Sequence, residues 1–410
     1  MTSRERILAA LNSESSDHVP LTTWCFGFSP PKDMRWQSDG REVKYWYSKR
    51  MEHIHTMPQP WSLEDDFRRA EALLSLGIDD ILEVSVPWGQ DSEVTWRDSH
   101  IQAGSIDRSP VLMRQYETPS GPLRHAVRQT GEDPGPGWVI QPDHVPLFED
   151  FNIPRAVEHA VASPSDVLAV KHLYCAPNQQ DRAWFTERMA KVRKFADEKG
   201  LLVGAWSAFG MDAAVWLAGT EGAIMMAMDS PKVFQQLMEA ISAADNARTV
   251  LAASTIGIDM VIERGWYSSL NFWSPDLFDK YVCCYVGQLA AIAHEYGKKF
   301  AYVITTGAEV IGPRLTKAGV DVLYFVDPVQ DGISLEKAKE LMSDDMTLVG
   351  GTNAISLASG DRNRIRLEVK HAIETLGPTN RFILHPVDAI FPDTPWEGFE
   401  QMIEAWREFG

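Results

Sequence analysis

The chain has 410 residues, 44% of them hydrophobic and 23% charged, with a formal net charge of −18. That length supplies one large core or two ordinary ones, and the acidic balance excludes a nucleic-acid partner, which needs clustered Lys and Arg. No apolar run is long enough to span a bilayer, and MTSRERILAALN places charge where a signal peptide has its apolar core, so a cytoplasmic soluble protein is expected.

In chain order, short apolar runs alternate with helical patterns. Val19–Trp24 is the first run and Ile78–Val84 the second. Between them, Ser62 and Asp65 make a capping-box pattern ahead of DFRRAEALLSLG, a helix that Gly77 stops. From 88 to 181 the alternation is interrupted by a segment carrying the Pro/Gly tract GEDPGPGW. Inside it, VLMRQYE and PLRHAVRQ flank TPSG, which predicts a β-hairpin and makes the segment a lid or wall over a site. The runs resume with Leu201–Ser207, Asp259–Glu263, Lys299–Ile304, Val320–Val326, Thr347–Gly351 and Arg381–His385. Ser230-Pro231 and Ser274-Pro275 each set an N-cap before a first-turn proline, and Thr394-Pro395-Trp396-Glu397 opens a last helix through Trp406. Eight near-continuous apolar strands alternating with helices predict an α/β fold, a (β/α)8 TIM barrel forming one domain over 1–410. A doubly wound open sheet is the competing architecture. Cys25, Cys175, Cys283 and Cys284 show no framework spacing and read as small buried hydrophobes in a reducing compartment.

A barrel carries its site at the C-terminal ends of its strands. Those ends supply Trp24, Glu83, Trp206, Glu263, Arg264, Trp266, Tyr267, Thr305, Thr306, Asp327, Asn353 and His385, with Asp388 three residues further on. His385 and Asp388 are acid–base or metal-ligand candidates, because histidine titrates near neutrality and a carboxylate can orient it; a capped turn is the plainer alternative. Glu263 joins them as a catalytic candidate or, with Arg264, forms a structural ion pair. Asp327 either touches substrate or shapes a turn before Pro328. Trp24, Trp206, Trp266, Tyr267 and Tyr302 add aromatic surface that suits a flat or apolar small molecule, with Arg264, Thr306 and Asn353 as further substrate-binding candidates. SHIQAG, with Asp98 before it, has the Asp98 and His100 of a DxHxxG cobalamin pattern, but its glycine falls late, at Gly104, and the match is coincidental. P-loop, strand-linked GxGxxG, GxSxG and HExxH motifs are missing from the sequence.

RERILAALNSESSDHVP, YETPSGPLR, FWSPDLFDKYV, FAYVITTG and FILHPVDAIFPDTPWEGFEQMIEAWRE together resemble the uroporphyrinogen decarboxylase superfamily, along essentially the whole chain. The resemblance implies a (β/α)8 barrel and, by analogy, a homodimer. Relatives include true decarboxylases and zinc-dependent methyltransferases. The decarboxylases carry an Arg-rich stretch after the first strand, where this chain has TTWCFGFSPP without arginine, so porphyrinogen is not the expected substrate. The methyltransferases carry His-x-Cys at the end of strand five and a further Cys after strand eight; here these positions hold Ile304-Thr305-Thr306-Gly307 and Asp388. What the resemblance implies is therefore a methyltransferase or demethylase acting on a methylated small molecule, such as a methoxylated aromatic. A corrinoid, carried by a partner protein, or a pterin would accept the methyl group. A divalent metal such as zinc, if rebuilt with harder ligands, would use Glu263, His385 and Asp388. The alternatives are a metal-free decarboxylase of a small acid and a barrel that only binds a ligand.

Overall fold

The computed structural model describes residues 1–25, 63–102, 109–129, 145–150, 152–390 and 394–410. A curled parallel sheet of seven strands organises it, in the order β1 (Ile81–Ser85), β6 (Leu202–Ala208), β7 (Met260–Glu263), β8 (Lys299–Val303), β9 (Val322–Val326), β10 (Thr347–Asn353) and β11 (Phe382–Val387). Between β1 and β6 the chain forms a separate antiparallel sheet of β2 (Thr95–Ile101), β3 (Val111–Thr118), β4 (Gly121–Arg128) and β5 (Ala156–Glu158). β3 and β4 pair around the TPSG turn, Thr118 opposite Gly121. The GEDPGPGW tract and Ser62 lie outside the described residues.

Seven of the eight expected runs are strands of the parallel sheet. The first, Val19–Trp24, is an extended segment with only isolated bridges, Leu21 to Leu384 and Cys25 to Ile390. Two local features limit its ladder. Pro20 has no N–H to donate, and the Leu21 N–H goes to the Asp79 carboxylate at 3.2 Å. The segment still lies between β11 and the lead-in to β1, because Asp79 N also donates to Leu21 O at 2.8 Å.

Alternation along the strands separates two layers. Ile81, Leu202, Met260, Ile262, Ala301, Val303, Val322, Val349 and Ile383 face the hollow of the sheet, and Ile7, Ala10 and Leu11 of the helix Ser3–Leu11 pack among them. That helix is pinned by Arg6, whose guanidinium holds Asp79 at 2.5 Å and Asp17 at 2.7 Å. Val203, Val261, Phe300, Tyr302, Leu323 and Leu348 face outward into the larger core shared with the helices. Among the described residues no helix is long and apolar enough to cross a membrane.

One irregularity shapes the hollow. The register of β9 against β10 shifts between Val349 and Gly350, so Tyr324 pairs with Val349 and Val326 with Gly350, leaving Phe325 unpaired. Phe325 takes φ 93°, outside the range a bulky side chain favours. The bulge breaks the alternation, and Tyr324 and Phe325 both join the inner cluster.

Candidate functional site

Above the apolar floor, the C-terminal half of the hollow is aromatic. Trp206 projects inward from β6, Trp24 comes from the first segment, and Trp266 sits on the turn Trp266–Ser268 after β7. Their ring centroids lie 5.4 Å (Trp24–Trp266), 5.5 Å (Trp24–Trp206) and 5.9 Å (Trp206–Trp266) apart. Tyr324 stacks on Trp24 at 5.8 Å, and Phe325 meets it edge-on at 4.7 Å. Trp206 is fully buried; Trp24 and Trp266 are half-buried and form the side nearer solvent.

Glu83 sits at the centre of this wall. It occupies the inward position of ILEVS in β1, and its two carboxylate oxygens accept one indole N–H each, from Trp24 and from Trp206, both at 2.9 Å. Burial pushes its carboxyl up from the ordinary 4.5 to about 7, although both indoles pull the other way. A carboxyl that holds its proton more tightly when folded stabilises the fold fully below pH 4.5, and that contribution is lost as pH rises to about 7. It amounts to on the order of 3 kcal/mol. Denaturation measured between those pH values should therefore show this slope in the native protein, reduced by that amount in Glu83→Gln.

His385 faces the same hollow from β11. Its Nδ1 lies 3.0 Å from Thr22 Oγ1, its Nε2 is buried without a partner, and its ring packs 5.9 Å from Trp24 and 5.6 Å from Phe325. Burial drives its pKa down to about 3, so the imidazole is neutral. The structure thus brings Trp24, Trp206, Trp266 and His385 together, and adds Glu83, Thr22, Tyr324 and Phe325. Asp388 is exposed, and its backbone lies close enough to the His385 ring to oppose the fall in its pKa.

Glu263 does not face the hollow. Ile262 takes the inward position on β7, so Glu263 points outward, against Gly210 and in the field of Asp245 and Asp212. Burial first, then those two acids, raise its pKa well above the carboxylate range, and Oε2 has no partner. Since a neutral acid and an amide are near-isosteres, Glu263→Gln should leave turnover unchanged and shift thermal stability by no more than about 1 kcal/mol. A turnover loss would return Glu263 to the chemistry. Tyr302 is on the same outer layer, its hydroxyl 2.7 Å from Ser268 Oγ.

Arg264 is fully buried and already paired. Its Nε donates to Asp212 at 2.6 Å and its Nη2 to Asp150 at 2.8 Å, with the guanidinium over the rings of Trp266 (4.3 Å) and Trp216 (4.6 Å). Asp212, in the first turn of the helix Gly210–Ala218, also accepts the backbone N–H groups of Trp266 (3.2 Å) and Tyr267 (2.8 Å), which fixes the loop carrying Trp266. Asp150, within the long segment after β1, also accepts from Tyr267 Oη at 2.9 Å and Trp216 Nε1 at 3.2 Å. Asp327 works as a turn former: Oδ1 accepts from Val329 and Gln330 N–H, and Oδ2 from Asn353 Nδ2 at 2.8 Å. Asn353 in turn caps Ile355 N–H.

The turn after β8 does not fit a zinc ion. Thr305 Oγ1 donates to Trp266 O at 3.1 Å, Thr306 Oγ1 is buried without a partner, and Asp331 accepts the N–H groups of Gly307 and Ala308. Hydroxyls of this kind make poor zinc ligands beside Cys and His. Among the described residues no three His, Cys, Asp or Glu side chains are arranged to hold a metal ion, so Glu263, His385 and Asp388 do not form a ligand set.

Residues 148–409 match the uroporphyrinogen decarboxylase (URO-D) family model. No curated protein matches the sequence. Among solved structures, a methyltransferase from Methanosarcina mazei aligns over 100% of this chain and 99% of its own at 17% identity and a TM-score of 0.56, which shows a shared fold. A 3-keto-D-glucoside 4-epimerase from E. coli aligns over 55% of this chain and 87% of its own, at 12% identity and a TM-score of 0.35.

Proposed function

We propose that this chain, a member of the uroporphyrinogen decarboxylase (URO-D) family, transfers a methyl group from a small-molecule donor held in the aromatic hollow to an external acceptor, a corrinoid or a pterin. The reading takes the 20–25 segment as the eighth strand of a closed (β/α)8 barrel, with the segment after β1 as a wall of its mouth. The observation that carries it is the cluster of Trp24, Trp206, Trp266, Tyr324 and Phe325 packed around a neutral His385. Such a surface binds methyl-bearing, weakly polar groups by area and excludes water from them. A polycarboxylate suits it poorly, since Arg264 is already engaged by Asp212 and Asp150. The same pairing weakens a decarboxylase reading in which Arg264 grips the substrate.

In this reading the indoles position the donor, and His385 offers Nε2 to a polar atom on it, its Nδ1 being occupied by Thr22. No step passes through a metal, because the residues after β8 do not fit one. The test is to mix the purified full chain with a reduced corrinoid and a panel of O- and N-methylated donors, following corrinoid methylation by visible absorbance. Methylation by one donor class, slowed at least about tenfold in His385→Ala, is the expected result. No methylation by any donor, with decarboxylation of a small acid instead, would overturn the reading.

A further inference from the structure

Among the described residues, the hollow holds a carboxyl group to which no cation is bonded. Glu83 is bound by two neutral donors, the indoles of Trp24 and Trp206. Arg69, whose charge reaches it, is committed to Asp66 and Asp80 at 3.0 Å each. Among the described residues, Glu83 is the acid held by the tryptophans, while the guanidinium over Trp266, that of Arg264, is neutralised by Asp212 and Asp150. Above about pH 7 Glu83 is ionised, and one indole N–H on each oxygen solvates that charge. Ring faces add negative potential to that of the carboxylate. This combination repels anions and gives a neutral methoxylated ring no electrostatic advantage. It suits a weakly hydrated cation whose charge is spread over methyl groups.

We infer that the hollow takes an N-methylated ammonium as its methyl donor, with Trp24, Trp206 and Trp266 against the methyl groups and Glu83 as counter-charge. The inference rests on the methyl-transfer reading of the same site. The half-buried Trp24 and Trp266, now 5.4 Å apart, separate to admit the cation, while the buried Trp206 stays in the wall. The chemistry balances without an acid. The acceptor's electron pair makes the new bond to carbon, the carbon–nitrogen pair remains on nitrogen, and the amine leaves neutral. A neutral His385 is no handicap to such a departure.

The experiment is a calorimetric and tryptophan-fluorescence titration of the full chain with choline and with its uncharged isostere, in which carbon replaces the quaternary nitrogen. Guaiacol serves as the methoxylated comparison. Choline should bind about tenfold more tightly than the isostere and quench tryptophan emission, and Glu83→Gln should remove most of that preference. Equal binding of choline and isostere, failure of choline to bind, or a preference unchanged in Glu83→Gln would overturn the inference. Should Glu83→Gln not fold, the choline-to-isostere ratio of the native protein decides alone. The two readings fail separately. Corrinoid methylation from guaiacol without any preference for choline keeps methyl transfer and rejects the ammonium donor. Preferential choline binding without methylation of any acceptor keeps the cation chamber and rejects methyl transfer.

Discussion

Alanine at position 350 should leave little folded protein at 37 °C. Gly350 lies at φ 147° opposite the bulge, and a Cβ there would overlap the Val326 carbonyl oxygen and come within 2.7 Å of its nitrogen. Both obstacles are backbone, so no side-chain rotation relieves them. The clash must force β9 and β10 apart, at the point where Phe325 is turned into the hollow. A cost of roughly 4–5 kcal/mol follows, a large share of the stability of an ordinary domain. Thermal unfolding and soluble yield read it directly. A Gly350→Ala protein that melts within a few degrees of the native one would mean that the bulge is not rigid.

Arg264→Met should be nearly as damaging, by about 3–5 kcal/mol, because it preserves much of the stem and removes the cation between Asp212 and Asp150. Asp212 is fully buried, and burial already lifts its carboxyl to about 6 against the pull of Arg264. Without the guanidinium its pKa rises further, and the folded state must bury either a bare charge or a proton taken from solution. The deficit should accordingly be larger at pH 8 than at pH 5. Chemical denaturation at the two pH values checks this, and an equal deficit at both would assign the loss to packing over Trp216 and Trp266 instead.

Much of the scaffold is legible in the sequence because buried parallel strands are near-continuous apolar runs, and seven such runs became strands within a few residues of their expected bounds. The first run failed to form a ladder for reasons of single atoms, the missing N–H of Pro20 and the capture of Leu21 N–H by Asp79. The site was legible in its materials and not in its arrangement. Trp24, Trp206, Trp266 and His385 were expected at the strand ends and are gathered there. Glu83 was visible as a carboxylate in an apolar strand, but its partners are 59 and 123 residues away, beyond any local pattern. Glu263 looked equivalent to it, and strand parity alone places the two on opposite sides of the sheet. The inward turn of Phe325 depends on a glycine in the neighbouring strand, which no period-two reading of VDVLYFV reveals.

A single oxygen gives these parts a common fate. Oδ1 of Asp150 accepts hydrogen bonds from Trp216, Arg264 and Tyr267, which belong to a helix, a strand end and a turn. Peeling the segment that carries Asp150 away from the parallel sheet strips a hydrogen bond from all of them in one event. The loop at 264–267 and the segment around Asp150 should then share one opening equilibrium, with amide hydrogens that exchange at matched rates. The loop that carries Trp266 and the stretch beside Asp150 would then come loose as one piece, because one acceptor ties them together.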